Sequence, residues 1–374
     1  MKLSVIILNY KVRYYLEQCV GSVQEALRSL DAEIIVADNA SEDGSGEMID
    51  KQFPEVHFMP NSENLGFSKA NNLAVNKAQG EYICLLNPDT AVSQDTFVKA
   101  LAYAESKSDI GALGVRLMDG TGHYLPESKR YLPSPKRALR KLIGLGGDNL
   151  YYYNKIEEQQ QGEVPVLVGA FMLMRRDRYQ EVGGLDEDYF MYGEDIDLSY
   201  KLTKAGYRNY YLGSVTTLHY KGESTEKDAA YFDRFYGAME IFYNKHFGKQ
   251  WLVNALVRLA IRSLRSIRSS STKPNGNQPL EGPILVLTED IRLLRSLSSN
   301  YPDRVKTVSK SDVGGEIYSQ TLFVFDLSYI DYSQVFMLMD RHKGNGNRFR
   351  IRPAGSQFIL GSDRSDQKGE VLVF

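Results

Sequence analysis

The stretch Val5-Ile6-Ile7-Leu8-Asn9-Tyr10 has four consecutive apolar residues, followed directly by two polar ones. A continuous apolar run of this length is typical of a strand that is buried on both faces of a parallel sheet. Residues 14–30 come next, with apolar side chains at helical spacing, and strand-like and helix-like segments alternate to about residue 120. This alternation predicts an α/β layer fold with a largely parallel sheet.

Further short strands and helices are predicted on both sides of an irregular segment. Between about residues 120 and 160, Gly, Pro, Lys, Arg and Tyr dominate, so we expect a long loop with a short helix, as in lids and binding loops. The other predicted strands are residues 33–37, 56–59, 81–86, 164–174, 208–212 and 215–219, and the other predicted helices are residues 45–53, 67–78 and 194–205. Residues 1–250 are therefore expected to form one domain.

Residues 251–280 are predicted to be a basic amphipathic helix and a linker. Arg258, Arg262, Arg265 and Arg268 recur every three to four residues, which places them along one helix face. No acidic residue interrupts this helix, and the residues after it are rich in Ser, Pro, Asn and Gly. Such a helix can lie in the headgroup region of an anionic membrane. A helix packed on the first domain, with its arginines in water, gives the same pattern.

Residues 281–374 are predicted to form a small α/β module, in which residues 284–287 and 322–325 are strands. Arg348-Phe349-Arg350-Ile351-Arg352 alternates charged and apolar residues, which predicts an exposed edge strand. The sequence leaves three roles open for this module. They are docking of a partner, self-association into a homo-oligomer, and stabilisation of the first domain.

The composition favours an ordinary globular protein. Of the 374 residues, 43% are hydrophobic and 25% are charged, and the formal net charge of −2 argues against a nucleic-acid-binding protein. Cys19 and Cys84 lack metal-ligand spacing and are expected to be buried thiols in a reducing compartment. The first apolar run is too short for a signal peptide, and no run is long enough to span a bilayer. We therefore expect the protein in the cytoplasm.

Polar residues follow three of the predicted strands at the point where each strand ends. The first strand ends in Asn9-Tyr10, the second in Asp38-Asn39-Ala40-Ser41 and the fourth in Asn87-Pro88-Asp89-Thr90. Ligands of open α/β sheets bind beyond the carboxyl ends of the strands. Asp38 or Asp89 alone could simply cap the next helix, but together the three strand ends predict a ligand site on one rim.

Two helix starts add candidate site residues. In Asn64-Leu65-Gly66-Phe67-Ser68-Lys69-Ala70-Asn71-Asn72, Gly66 permits close approach to the backbone, and the helix N-terminus attracts phosphate, although many helices begin in this way. Gly193-Glu194-Asp195-Ile196-Asp197 places three acids within four residues. Acids favour the first turn of a helix, but three exceed what capping requires. A raised pKa, a bound cation or an acid–base task is therefore predicted for this cluster.

His219-Tyr220-Lys221-Gly222-Glu223-Ser224 begins at the end of the last predicted strand of the first domain. A lone histidine is most often a structural hydrogen-bonding group, but at a strand end beside Gly and Ser it is also a candidate metal or phosphate contact. Together with the motifs above and Gly169-Ala170-Phe171-Met172, this segment resembles the family 2 glycosyltransferases, and most of all their rhamnosyltransferase-like branch. The resemblance covers residues 1 to about 245, with the motifs in the family's order.

The resemblance implies a GT-A fold, which is a Rossmann-like nucleotide-binding fold, and an inverting transfer of a sugar from a nucleoside-diphosphate donor. It implies that Asp195 is the general base, with Glu194 and Asp197 as supporting acids. Inversion needs one base on the sugar face opposite the diphosphate, and a carboxylate in that role can contribute roughly 10²–10⁴-fold in rate. The implied nucleotide-sugar-binding residues are Asn9, Tyr10, Asp38, Asn64, Gly66, Asn71 and Asn87.

The resemblance also implies a divalent cation, Mg²⁺ or Mn²⁺, that neutralises the leaving diphosphate. Asp89 matches the metal-binding acid of the family's DxD motif, and His219 matches a position near the metal or diphosphate. Asn87 stands where many members of the family have an acid, so the metal requirement stays open. Basic residues of the long loop are another source of positive charge, unless they simply face solvent: Lys129, Arg130, Lys136, Arg137, Arg140 and Lys141.

The implied donor is deoxythymidine-diphosphate rhamnose, with a uridine-diphosphate hexose as the second choice. The implied acceptor is a saccharide, in particular a lipid-linked one, used in cell-surface polysaccharide synthesis at the cytoplasmic face of the membrane. A nucleotidyltransferase or a dinucleotide dehydrogenase would need a glycine-rich loop after the first strand, where Asn9-Tyr10-Lys11-Val12 stands instead. A non-catalytic nucleotide-sugar-binding scaffold of a polysaccharide assembly complex is the alternative from another class.

Overall fold

The computed structural model of the chain describes residues 1–134, 151–223, 229–247, 282–365 and 367–374. The predicted arginine-rich helix and linker lie outside the described residues, and so do the basic residues at positions 136–141 of the long loop. Both predicted domain boundaries, after residues 250 and 280, fall in the same gap. The division into domains therefore stays a prediction.

A mixed sheet forms the core of the N-terminal part of the chain. The strands described there are β1 (Leu3–Asn9), β2 (Ala32–Asp38), β3 (His57–Pro60), β4 (Tyr82–Leu86), β5 (Thr90–Val92), β6 (Ile110–Met118), β7 (Lys129–Arg130), β8 (Gln161–Glu163), β9 (Val166–Leu167), β10 (Phe171–Arg175) and β11 (Arg208–His219). The sheet order is β3-β2-β1-β4-β10-β6-β11-β5, β8 also pairs with β11, and β7 pairs with β9 separately. Strands β1 to β4 are parallel, as predicted, whereas β10 runs antiparallel to both of its neighbours.

Helices cover both faces of this sheet. They are α1 (Arg13–Leu27), α2 (Ser45–Gln52), α3 (Phe67–Val75), α4 (Thr96–Glu105), α5 (Arg176–Glu181), α6 (Glu194–Lys204) and α7 (Ala229–Phe247), with a 3₁₀ turn at Pro126–Ser128. Val5 and Ile7 of β1 pack into a cluster with α1, α2 and α4, whereas Ile6 and Leu8 pack into a second cluster with α3 and α6. Successive side chains of a strand point to opposite faces, so a strand that is covered on both faces must be apolar throughout.

Cys19 and Cys84 are buried free thiols, as expected, and burial raises the pKa of both. None of the described helices is both long enough and apolar enough to cross a membrane.

A second sheet follows in the C-terminal part of the chain. Its elements are β12 (Ile284–Leu287), α8 (Ile291–Asn300), β13 (Val305–Thr307), α9 (Lys310–Val313), β14 (Leu322–Asp326), α10 (Tyr332–His342), β15 (Arg348–Arg352), β16 (Phe358–Gly361) and β17 (Glu370–Val373). The order β13-β12-β14-β15-β16-β17 begins with four parallel strands and ends with two antiparallel ones. The predicted C-terminal α/β module is therefore present.

Strand β15 is an interior strand, so the prediction of an exposed edge strand at this position is wrong. It pairs with β14 on one side and β16 on the other, and Arg350 and Arg352 are buried. The guanidinium of Arg350 lies 2.7 Å from the Asp363 carboxylate, and that of Arg352 lies 2.9 Å from Asp290 and 3.2 Å from Asp326. The alternation of charge correctly indicated a strand. Acids from distant segments neutralise the arginines, and this is why both can be buried.

The C-terminal module packs directly on the N-terminal sheet. Tyr220, just beyond β11, belongs to the apolar cluster that contains Phe358 of β16, and the Tyr14 ring meets Phe358 edge-on at 4.8 Å between ring centres. Across the same interface, Arg116 Nη2 of β6 lies 2.8 Å from Asp340 Oδ1 of α10. The module therefore covers the start of α1 and the end of β11.

Candidate active site

Residues at or just beyond the carboxyl ends of β1, β2, β4 and β11 line a cleft of about 430 Å³. This is where open α/β sheets bind their ligands. The predicted site residues that line the cleft are Tyr10, Asn64, Gly66, Asn87, Asp89, Glu194, Asp195 and His219. The predicted residues that are not among its described lining residues are Asn9, Asp38, Asn71 and Asp197.

Asn87, Asp89 and His219 meet on one side of the cleft. The antiparallel pairing of β5 with β11 sets Thr90 opposite His219 and so brings these three side chains together. His219 Nε2 lies 3.4 Å from Asp89 Oδ1 and 3.4 Å from Asn87 Nδ2. The other ring nitrogen, Nδ1, is buried and has no hydrogen-bond partner among the residues that the structure describes.

The carboxyl group of Asp89 is held in its charged form. Burial raises its pKa, but the charge of His219, a hydrogen bond from that ring and backbone hydrogen bonds outweigh burial, so the pKa lies below its usual range. A carboxylate, an amide and an imidazole therefore share one space. This set of oxygen and nitrogen donors fits a divalent cation such as Mg²⁺ or Mn²⁺.

Glu127 and Lys221 form an ion pair that also lines the cleft. Burial raises the pKa of Glu127, but the charge and hydrogen bond of Lys221 outweigh burial and lower the pKa below its usual range. Lys221 and Gly222 both have left-handed backbone, with φ of 70° and 85°, which is uncommon for a lysine. The sequence motif contained Lys221 without assigning it a role, and Glu127 lay in the segment predicted to be an irregular loop.

The Asp195 carboxylate, in the first turn of α6, faces Arg130. Asp195 Oδ2 accepts hydrogen bonds from Arg130 Nη2 at 2.6 Å and from the Gly169 backbone N–H at 3.0 Å. Arg130 is buried and also donates to the Leu167 carbonyl at 2.7 Å. The sequence named Arg130 only as one of several basic loop residues. Its pairing with Asp195 depends on β7 and β9 lying side by side, which no local pattern signalled.

Glu194 lies beside Asp195 without an equivalent partner. Its side chain is buried, and within the described part of the chain its Oε2 atom has no hydrogen-bond partner. Burial, together with the negative charge of Asp195, raises the pKa of Glu194 to about 8. Glu194 is therefore mainly a neutral acid at neutral pH, whereas Arg130 balances the charge of Asp195. The raised pKa predicted for this acidic cluster belongs to Glu194.

Asp197 is fully buried outside the described lining of the cleft. Its Oδ1 atom lies 2.6 Å from His246 Nε2, and its Oδ2 atom lies 3.3 Å from Lys201 Nζ. Through His246 the carboxylate connects α6 to α7. Asp197 therefore has a structural position, in which it joins α6 to α7. Its role as a supporting acid stays a prediction.

A buried polar network stands behind the wall of the cleft formed by the ends of β1 and β2. Asn9 Nδ2 donates to Asp38 Oδ1 at 2.6 Å and to the hydroxyl oxygens of Ser41 and Ser45 at 3.0 Å each. Ser41 in turn donates its backbone N–H to Asp38 Oδ2 at 3.0 Å. The network ties the two strand ends together, so Asn9 and Asp38 shape this wall from behind.

Asn39 is a residue of this wall that the sequence motif contained and the predicted site omitted. It lines the cleft and donates to Asn64 Oδ1 at 3.2 Å and to the Gly66 carbonyl at 3.1 Å. Gly66 has a φ of 79°, and a Cβ atom there would lie 2.7 Å from the Phe190 carbonyl oxygen, so only glycine fits. Asn71 is buried in α3, where its amide donates to a backbone carbonyl of the same helix.

Comparison with known proteins identifies the family. Residues 4–183 match the family model described as Glycosyl transferase family 2. The N-acetylglucosaminyl-diphospho-decaprenol L-rhamnosyltransferase of Mycobacterium tuberculosis (strain CDC 1551 / Oshkosh) is 30% identical over 292 residues, which cover 72% of this chain and 94% of that protein. This chain belongs to the family 2 glycosyltransferases.

Other proteins are also similar to this family 2 glycosyltransferase. The solved structure of the mannosyltransferase PcManGT from Pyrobaculum calidifontis, in complex with GDP-Man and Mn²⁺, is 17% identical and covers 73% of this chain and 76% of that chain, with a TM-score of 0.48. The rhamnosyltransferase WbbL of Escherichia coli (strain K12) is 31% identical over 162 residues, which cover 41% of this chain and 61% of that protein. The resemblance inferred from the sequence is confirmed. The chain is a glycosyltransferase, and its mixed α/β sheet agrees with the GT-A fold that the resemblance implied.

The raised pKa of Glu194 predicts how the stability of this glycosyltransferase depends on pH. A carboxyl whose pKa rises on folding, here from 4.5 to about 8, makes the folded state lose stability as pH rises through that interval. Glu194→Gln keeps the shape and removes the ionisation. Thermal melting should therefore show a larger gain of the variant over the unmodified protein at pH 8 than at pH 5.

The exposed Glu55 provides the control for this experiment. Glu55→Gln should change the melting temperature by the same small amount at both pH values, because that side chain is exposed to water. A Glu194→Gln effect that is equal at pH 5 and pH 8 would contradict the prediction.

Proposed function

We propose that this glycosyltransferase moves a sugar, with inversion, from a nucleoside-diphosphate donor to a lipid-linked saccharide in cell-surface polysaccharide synthesis. The observation that carries the proposal is the convergence, in one cleft, of a carboxylate–imidazole pair, two acids beside an arginine, and a polar wall. The relative from Mycobacterium tuberculosis is named as an L-rhamnosyltransferase of N-acetylglucosaminyl-diphospho-decaprenol. That name supports deoxythymidine-diphosphate rhamnose as the first donor candidate, ahead of a uridine-diphosphate hexose, and a lipid-linked acceptor.

The nucleotide of the donor is proposed to lie against Tyr10, Asn39, Asn64 and Gly66. Gly66 and the first residue of α3 line the cleft, and a helix N-terminus attracts phosphate. The buried network behind this wall and the buried amide within α3 give their side-chain hydrogen bonds to the protein. We therefore assign those residues the task of holding the wall in shape.

Asp89, with Asn87 and His219, would hold a divalent cation, Mg²⁺ or Mn²⁺. Within the described residues, no three His, Cys, Asp or Glu side chains cluster closely enough for a metal site. The donor diphosphate is therefore proposed to supply the remaining oxygen ligands. When bound, the cation neutralises the charge that develops on the leaving diphosphate. Lys221 also lines the cleft, and Glu127 balances its charge.

Asp195 is the proposed general base. The acceptor hydroxyl oxygen bonds to the anomeric carbon, the bond from that carbon to the diphosphate breaks, and the hydroxyl proton passes to the Asp195 carboxylate. The nucleoside diphosphate leaves with the bonding electron pair. The raised pKa of Glu194 keeps its carboxyl mainly protonated at neutral pH, which favours Asp195 as the proton acceptor. Arg130 holds the Asp195 carboxylate in a fixed orientation.

A lipid-linked acceptor requires the enzyme to work at a membrane surface. The arginines of the predicted helix at residues 251–268 are proposed to bind anionic lipid at the cytoplasmic face. Each arginine near such a surface contributes about 1 kcal/mol to binding. The support for this step is the sequence pattern of one basic face without acids.

The proposed reaction and its metal can be tested together with purified protein. Rhamnose from deoxythymidine-diphosphate rhamnose should be transferred to a polyprenyl-diphosphate-linked N-acetylglucosamine, with a weaker signal from a uridine-diphosphate hexose. Excess chelator should abolish transfer, and Mn²⁺ or Mg²⁺ should restore it. Asp89→Asn should weaken donor binding and turnover, because an amide carries no charge to attract the cation.

The control variant for this experiment is Asp50→Asn, at an exposed acid of α2 that lies outside the described cleft lining. It should behave like the unmodified protein. Full transfer in excess chelator would contradict the proposed metal site but not the proposed transfer reaction. A complete lack of transfer with every nucleotide sugar tested would contradict the proposed function.

The base assignment is tested by comparing two neighbouring variants. Asp195→Asn keeps the shape and removes the basicity, so transfer should fall by roughly 10²–10⁴-fold while nucleotide affinity changes little. Glu194→Gln should keep transfer within about tenfold of the unmodified rate, because the native side chain is already mainly neutral. Melting temperatures should be measured for both variants, since Asp195 also pairs with Arg130. Near-normal transfer by Asp195→Asn together with a large loss in Glu194→Gln would reverse the assignment.

The membrane proposal is tested by sedimentation with lipid vesicles at low salt. The unmodified protein should bind vesicles that contain an anionic lipid and ignore neutral ones. Changing Arg258, Arg262, Arg265 and Arg268 to Glu should abolish this binding and leave nucleotide release from the donor intact. If the unmodified protein does not bind anionic vesicles, the proposed membrane-binding role of this helix is wrong.

A further inference from the structure

The C-terminal module contacts the segment that carries His219 and Lys221 into the cleft. The Glu223 carboxylate accepts the backbone N–H of Gly369 through both of its oxygens, at 2.8 and 3.0 Å. Glu223 is buried, and it is neither the proposed base nor a proposed metal ligand. The last described residue of this segment is therefore attached to the chain just before β17.

Gly369 fits into this contact because it has no side chain. A Cβ atom there would lie 2.2 Å from the Tyr15 hydroxyl oxygen and 2.5 Å from the Gly361 carbonyl oxygen. On the catalytic side of the interface, a Cβ atom on Gly120 would lie 2.9 Å from the Ser362 Cβ. The two backbones approach more closely than any side chain at these positions would allow. Close backbone packing therefore holds the module against the catalytic sheet at both of these positions.

The turn held in this way has an unusual backbone. Lys221 and Gly222 are both left-handed, and for a lysine this conformation persists only when its surroundings impose it. At one end of the turn, the Tyr220 N–H donates to the Asp89 carbonyl at 3.0 Å. At the other end, the contact of Glu223 with the module provides the second attachment. The conformation of the turn is thus set from both sides.

We propose that the C-terminal module is a working part of the catalytic site. Through Gly369 and Glu223 it holds the turn at Lys221 and Gly222, so that His219 and Lys221 keep their places beside the donor diphosphate. Glu223 is then a positioning residue for the transfer reaction. The inference rests on the proposed function only in naming a diphosphate as the group that this turn meets. Of the three roles that the sequence left open for the module, this proposal corresponds to stabilisation of the first domain, and specifically of the turn at Lys221 and Gly222.

Two variants break the contact from its two sides. Glu223→Ala removes the hydrogen-bond acceptor of the Gly369 N–H. Gly369→Ala adds a methyl group that forces the backbone before β17 away from Glu223. Both should raise the KM for the donor about 10- to 100-fold, the range seen when a group that orients a ligand is removed, with a smaller change in kcat. Hydrogen exchange at the backbone amides of residues 220–222 should also become faster in both. This second readout is independent of the identity of the donor.

The matched control is Asp340→Asn, which breaks the ion pair with Arg116 across the same interface. Neither residue is among the described lining of the cleft. The control should lower the melting temperature but leave the donor KM and the exchange at residues 220–222 close to those of the unmodified protein. The ratio of the KM change to the melting change then separates positioning from general stabilisation.

Two results would overturn the inference. One is a rise in KM by Asp340→Asn that equals that of Glu223→Ala at the same loss of melting temperature, because the module would then act only as general support. The other is unchanged exchange in both Glu223→Ala and Gly369→Ala. If the unmodified protein transfers no sugar, the proposed function fails, and the exchange measurement alone decides whether the module holds the turn.

Discussion

Strand β1 runs between β2 and β4 with all seven of its residues buried, and all five residues of β4 are buried as well. Polar groups on such strands can reach a ligand only where the strands end. Asn87 and Asp89 follow β4 at that edge, and the antiparallel register of β5 and β11 brings His219 to the same place. The position of the cleft is therefore a consequence of how completely the sheet is covered by its helices.

Of the four acids that line the described part of the cleft, three lie beside a basic side chain. A buried charge without a partner costs several kcal/mol, so each pairing decides which groups are ionised before a substrate arrives. Glu194 forms no ion pair with any residue that the structure describes, and burial keeps it mainly protonated at neutral pH. Of the two adjacent acids on this helix turn, Asp195 is the one that forms an ion pair with an arginine. The pairs are Asp89 with His219, Glu127 with Lys221, and Asp195 with Arg130.

The buried arginines of the C-terminal module and the shape of the catalytic cleft are connected. Arg350 Nη2 lies 2.7 Å from Glu370 Oε2, and its Nη1 lies 2.7 Å from Asp363 Oδ1. The ion pair with Glu370 links the first residue of β17, across β16, to the interior strand β15. Gly369 precedes that residue and makes the contact with Glu223. Strand β15, which was predicted to be a free edge, is therefore connected through Glu370 and Gly369 to the turn at Lys221 and Gly222.

The sequence by itself determined the layered α/β fold, its first strands and helices, and the residues Asp89, Asp195 and His219 as candidates. The periodicity of apolar residues and the polar residues at strand ends are local properties, so both can be recognised from the sequence alone. Only the tertiary structure decided that Arg130 pairs with Asp195, 65 positions away, and that Glu223 meets Gly369, 146 positions away. The physical reason is that a buried charged group needs a partner close to it in space. Only the folded path of the chain brings together residues that are far apart in the sequence.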